Sequence, residues 1–141
     1  VGERFKNVSN QLKKRRAPDA PLLIKNEYDF QYVFHALLRL FFDDVRAEEW
    51  TPKEAGSNKR MDFLIPKHFL AVELKHTREG LDATKLGDEL LVDIEHYKQH
   101  PKVSTIVCLV IDRENFIENP AGIESDLTRV QDDLTIVTKI F

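Results

Sequence analysis

The stretch 60–75 constrains this chain more than any other, because two apolar runs, residues 61–65 and 69–74, are parted only by Pro66, Lys67 and His68. That is the pattern of two strands joined by a tight turn. Side chains alternate across a strand, so Glu73 and Lys75 share one face while Val72 and Leu74 point the other way into a core. Asp62 joins them if the turn holds an even number of residues. Two or four turn residues set it opposite or diagonal to Glu73, and a slip of one reverses every face.

Two carboxylates and a lysine at one sheet end are costly together, since like charges resist sharing a site and burial opposes each charge. A hard divalent cation resolves the conflict. Oxygen donors suit magnesium, with manganese as a substitute, and two or three carboxylates leave room for water and a substrate phosphate in the shell. The alternative is a plain ion pair between Glu73 and Lys75 at a strand end. On the isolated residues that is the simpler reading, because short motifs match by chance.

A wider set of residues changes the weighting. Asp62, ten intervening residues and then Glu73, Leu74 and Lys75 resemble the PD-(D/E)xK nuclease motif, with apolar strands on both sides. The wording around Asn26–Asp29, His35–Leu38, Phe41–Asp44, Glu49–Pro52 and Arg60–Phe63 resembles the branch that contains the DpnII and MboI restriction enzymes, over about residues 22–129. Met61 stands where the motif's name has proline. The resemblance implies a restriction-endonuclease-like core in which Asp62, Glu73, the Leu74 carbonyl and an acidic residue on the first helix hold magnesium. Glu27 matches that last position, with Gln31 one turn on at the substrate. Lys75 would orient or deprotonate the attacking water, and the products would carry 5'-phosphate ends.

The remaining chain fits one such domain. Its 141 residues, 42% hydrophobic and 32% charged, can bury an ordinary core. No apolar run is long enough to cross a membrane, so no membrane partner is expected and a cytoplasmic setting is. A net charge of -3 argues against non-specific coating of nucleic acid, though a local basic surface suffices for a nuclease. Cys108, the only cysteine, lies in an apolar run and reads as a core residue.

In chain order, Val1, Phe5, Val8 and Leu12 fall at helical spacing before the basic run 13–16 and a breaker at 17–21. The start at Val1 reads as a piece of a longer protein, with residues 1–21 a helix and linker and 22–141 the nuclease-like domain. Asn26 caps a helix whose apolar stripe runs through Phe30, Val33, Phe34, Leu37, Leu38 and Phe41, with Glu27, Gln31 and His35 along one edge. For His35 a solvated helix edge is the preferred reading. A strand over 45–50 follows, ending at Trp50, a core-edge or rim residue or a base-stacking one. The loop 51–60 carries Gly56, Ser57, Asn58, Lys59 and Arg60 and can contact phosphates or simply connect strands. Arg78 lies in the loop after Lys75.

Beyond it the pattern gives a helix over 84–99, a strand over 103–111 buried on both faces, a helix over 120–129 and a last strand over 134–141. His96 and His100, four apart, lack companion ligands for zinc. The expected architecture is α/β, a mixed central sheet flanked by helices in the order α-β-β-β-α-β-α-β. The expected function is metal-dependent endonuclease action on nucleic acid, DNA ahead of RNA by resemblance, as the effector of a restriction or defence protein. Asp62, Glu73, Lys75 and Glu27 would carry the chemistry, with Gln31, Lys59, Arg60 and Arg78 on the substrate. Cutting both strands together calls for a second copy, most simply a homodimer. The rival is an inactive nuclease-fold module for nucleic-acid binding or assembly, which the survival of Asp62, Glu73 and Lys75 argues against.

Overall fold

The two apolar runs form an antiparallel hairpin of β2 (Arg60–Ile65) and β3 (Leu70–His76), pairing Phe63 with Val72, Leu64 with Ala71 and Ile65 with Leu70. The structure, a computed structural model, describes residues 4–14, 23–53 and 58–141. Between the strands a single 3-10 turn, Pro66–His68, has proline in its first turn and closes on Phe69 in the left-handed conformation at φ 51°. Four residues therefore make the connection. Continuing the register sets Asp62 across from Glu73 along the backbone.

Around this hairpin stand β1 (Arg46–Trp50), antiparallel to β2, and β4 (Thr105–Ile111), parallel to β3. The crossover to β4 contains α3 (Ala83–Tyr97), and α4 (Pro120–Leu127) leads on toward β6 (Leu134–Ile140), which is parallel to β4. With β5 (Arg129–Gln131) antiparallel to β6, the mixed sheet reads β1-β2-β3-β4-β6-β5. The expected core is present, preceded by α1 (Phe5–Lys13) and α2 (Glu27–Leu38). Residues 15–22, which hold the end of the basic run and the breaker, and residues 54–57 of the loop before β2 lie outside the described residues.

Three helices stop short of their sequence patterns: α2 ends at Leu38, leaving Phe41 exposed, α3 ends at Tyr97, and α4 is the third. The predicted helix over 120–129 stops at Leu127; Thr128 is extended, and residues 129–131 form a short edge strand. β-Branched Thr128 and Val130 favour the strand, and Asp132 at φ 52° makes the return to β6. The Thr128 hydroxyl accepts the Thr138 N–H at 3.0 Å, tying the helix end to β6.

The sheet separates two apolar layers. On one side Phe30, Phe34 and Leu38 of α2 pack on Phe63, Val72, Leu74, Leu109 and Ile111. On the other, Leu86, Leu90, Ile94 and Tyr97 of α3 pack on Ala71, Cys108 and Val110. β4 is covered on both faces, as its continuous apolar run requires, and Cys108 is buried. Side-chain caps start the helices: Asn26 accepts the Asp29 N–H at 2.9 Å and Asp82 the Lys85 N–H at 2.9 Å.

The ends of β3 and β4 are held by a buried carboxylate. Asp112 accepts the Thr77 hydroxyl at 2.7 Å and the backbone N–H groups of Phe116 at 2.9 Å and Ile117 at 3.0 Å. Replacing it with alanine leaves those donors without their acceptor, so Asp112→Ala should lower unfolding free energy by roughly 2–4 kcal/mol. Asp112→Asn, which keeps an acceptor oxygen, should lose less. Urea unfolding of the two variants checks this, and an Ala variant as stable as wild type would contradict it.

Candidate active site

Backbone pairing between β2 and β3 reaches Phe63 and Val72, and one residue further a side chain takes over. Asp62 Oδ2 accepts the Leu74 N–H at 2.7 Å, and Oδ1 accepts Gln31 Nε2 from α2 at 2.7 Å. Met61 and Leu64 both pack in the layer under α3, so the alternation of β2 slips by one between them. The Asp62 side chain is thereby drawn toward α2 although its backbone stands across from Glu73.

Glu73 keeps to the other face. Its Oε1 lies 2.5 Å from Lys75 Nζ, and its Oε2 accepts the Tyr97 hydroxyl from α3. Lys75 Nζ also pairs with Asp93 Oδ2 at 2.9 Å, and Asp93 Oδ1 takes Lys59 Nζ at 2.5 Å. A chain of alternating charge results, Lys59–Asp93–Lys75–Glu73, ending on the Tyr97 hydroxyl. Glu73 and Asp93 are almost fully buried.

The model of the DpnII-MboI restriction endonucleases matches residues 1–141. The chain belongs to this family. No curated protein and no solved structure matches it. The family is one of nucleases with DNA as substrate, and no helix among the described residues is long and apolar enough to cross a membrane.

In this member of the family, burial pushes the Asp62 carboxyl up to about 7, with Glu27 and Asp93 adding to the rise while the Leu74 N–H and Lys75 oppose it. Burial, and then the charge of Asp62, raises Glu73 well above the usual carboxylate range. For Lys75, burial acts against the charge, but Glu73 and Asp93 outweigh it and hold the ammonium well above the usual lysine range. Burial likewise acts against the Asp93 charge, and Lys75 and Lys59 reverse it. The site is thus a fixed cation beside two carboxylates short of positive charge.

Restriction endonucleases typically use divalent metal ions, and these donors fit one by chemistry. Asp62 and Glu73 offer hard oxygens, each with a lone pair left after the hydrogen bonds above, and each bears a burial cost that a cation would relieve. Among the described residues no three carboxylate, imidazole or thiol groups gather to hold an ion by side chains alone.

The other predicted residues are spread around this centre. Glu27 lines a cavity of about 420 Å³ with Lys25, Tyr28, His76 and Arg78, and its charge reaches Asp62. Gln31 orients Asp62, and Lys59 braces Asp93. Arg60 lies over Trp50, 5.3 Å from the ring centroid, and pairs with Glu48 at 3.1 Å, while Arg78 pairs with Glu89 at 3.4 Å. His35 packs its ring 5.2 Å from that of Phe63; burial and then Arg39 lower its pKa. Sequence reading did not place Asp93 or Tyr97 at the site. A signal was there: Asp93 sits on the inner stripe with Leu86, Leu90 and Tyr97, where a carboxylate has to find a partner.

The raised carboxyls give stability a pH dependence of known sign. The folded value for Asp62, about 7, exceeds its ordinary 3.8, so its contribution is complete below about pH 4 and is lost as pH rises through 7. Metal-free protein should therefore lose about 1 kcal/mol between roughly pH 6 and pH 8 through Asp62, with Glu73 acting in the same direction. Asp62→Asn should remove that share. Thermal unfolding of both proteins across this window measures it; parallel curves would show that Asp62 does not titrate there.

Proposed function

We propose that this chain is a magnesium-dependent endonuclease that hydrolyses phosphodiester bonds of DNA, as the effector domain of a cytoplasmic restriction or antiviral defence protein. The observation that carries this reading is the placing of Asp62 and Glu73 across from each other at the opened end of β2 and β3, close enough for the charge of Asp62 to be felt at Glu73, with Lys75 beside Glu73 as a cation. Magnesium, or manganese in its place, would be held by Asp62, Glu73, the Leu74 carbonyl and Glu27, and would polarise a phosphate oxygen and acidify a water.

The chain's own groups then have defined work. Lys75, held as a cation between Glu73 and Asp93, acts as donor and positive charge toward the phosphate and the attacking water. Asp93 and Lys59 hold that ammonium in place from α3 and the loop before β2. Gln31 fixes the Asp62 carboxylate through Oδ1 and leaves its remaining lone pairs for a ligand. Arg78 and Arg60, paired with Glu89 and Glu48 at the exposed surface, would exchange those partners for phosphates. One set of Asp62, Glu73 and Lys75 cuts one strand per encounter, so cleavage of both strands together uses a homodimer. In this reading the nuclease unit is residues 22–141, with residues 1–21 as a helix and linker before it.

Two substitutions separate chemistry from structure by the sign of their stability effects. Asp62→Asn and Lys75→Ala should each reduce plasmid cleavage at least about 100-fold. Near pH 8 Asp62→Asn should hold or raise the unfolding free energy by removing a buried charge, whereas Lys75→Ala should lower it by roughly 3 kcal/mol by stranding two carboxylates. Wild-type cleavage by either variant would remove that residue from the chemistry. Magnesium and manganese should support cleavage, calcium should permit binding without efficient cutting, and full activity in rigorously metal-free buffer would sink the mechanism.

A further inference from the structure

The face of α2 that flanks Asp62 carries two aromatic rings with no structural employment. Tyr28, Gln31, Tyr32 and His35 fall at i, i+3, i+4 and i+7, one stripe of the helix, beside the buried stripe of Phe30, Phe34 and Leu38. Tyr28 is 73% exposed and Tyr32 is 79% exposed. Neither makes a hydrogen bond or a ring contact with another described residue. Both line a cavity of about 260 Å³ whose wall includes Gln31, His35 and Asp62. Tyr28 also lines the cavity of about 420 Å³ that holds Lys25 and Arg78.

Such a surface suits one class of ligand. Exposed aromatic rings present π-faces to a nucleobase, which stacks on them whatever its identity, and cations beside them meet the flanking phosphates. A paired base inside a duplex keeps its faces covered by its neighbours and cannot use the rings, so the fit is to an unstacked nucleotide. We infer that Tyr28 and Tyr32 form a stacking platform for an unpaired base of the substrate strand next to the cleaved bond. Gln31 and His35 line the same recess; His35 is engaged with Arg39 and Val45, and Gln31 keeps its amide oxygen and one N–H for the base edge. The inference rests on the nuclease reading for the identity of the strand, and on the exposed tyrosines and the shared cavities for its place.

The test uses the whole chain and an oligodeoxynucleotide of about 20 nucleotides carrying 2-aminopurine, single-stranded and as a duplex, with calcium in place of magnesium. Stacking on the rings should quench the probe in the single strand, and the duplex should show 2-aminopurine leaving the helix stack on binding. The double variant Tyr28→Ala with Tyr32→Ala should bind at least about tenfold more weakly, since loss of one stacked base is worth roughly that much. Tyr28→Phe with Tyr32→Phe should bind as wild type. In cleavage the Ala pair should raise KM by a similar factor and leave kcat within about threefold. Unchanged binding by the Ala pair, an equal loss in the Phe pair, or a wild type that binds neither oligonucleotide would each overturn the inference. If wild type cleaves while the Ala pair binds normally, the platform fails and the nuclease reading stands. If binding depends on the rings but wild type cleaves nothing in magnesium, the platform stands and the nuclease reading falls.

Discussion

The ammonium of Lys75, set between the buried carboxylates of Glu73 and Asp93, is the interaction on which the centre of this molecule depends. A buried charge is tolerated only with partners, and here the partners come from different parts of the chain: Glu73 from the same strand, Asp93 from α3, Lys59 from the loop before β2. Glu73, Lys75 and Asp93 are buried only because each is partnered, with Lys59 at the more exposed end of the series. The same arrangement favours the protonated form of Lys75.

The sheet contributes the opening in which this happens. β3 pairs in parallel with β4 along its whole length, while its antiparallel partner β2 stops pairing one residue before Asp62. A backbone N–H left there without an acceptor would be costly, and the Asp62 carboxylate takes the one on Leu74. That single bond accounts for the slip in side-chain alternation along β2, and it turns one carboxylate toward α2 while Glu73 stays under α3. The two helices thus hold one carboxylate each, from opposite faces of the sheet.

What was legible in the sequence follows from this division. The hairpin, the buried strand β4 and the inner faces of α2 and α3 are local patterns with periods of two and 3.6, and each can be read within a window of a few residues. Asp62, Glu73 and Lys75 were legible because they interrupt such patterns. Asp93 was not, because its meaning lies in partners 18 and 34 positions away that only the folded sheet brings near. The facing of Asp62 was hidden for a similar reason. Strand alternation assumes an unbroken ladder, and nothing in the run from Met61 to Ile65 announces that a side chain replaces a ladder bond. The edge strand β5 was lost to a helix pattern two residues too long, although Thr128, Val130 and the Asp132–Asp133 pair carry strand and turn preferences.

The charge distribution bears on how such a site can hold DNA. The chain carries a net -3, and the cations nearest the centre are already engaged: Lys59 with Asp93, Lys75 with Glu73 and Asp93, Arg60 with Glu48, Arg78 with Glu89. Paired cations neutralise few phosphates and release few counterions, so a broad electrostatic grip of the kind that basic DNA-binding surfaces use is weak here. On the proposed function, affinity would come from contacts that do not depend on net charge: a metal ion held by the carboxylates and, on the further inference, the exposed rings of Tyr28 and Tyr32. Both fall within reach of Asp62, which Gln31 ties to the helix that carries the tyrosines. The geometry that makes the centre costly to fold is therefore also what lets an acidic protein approach a polyanion.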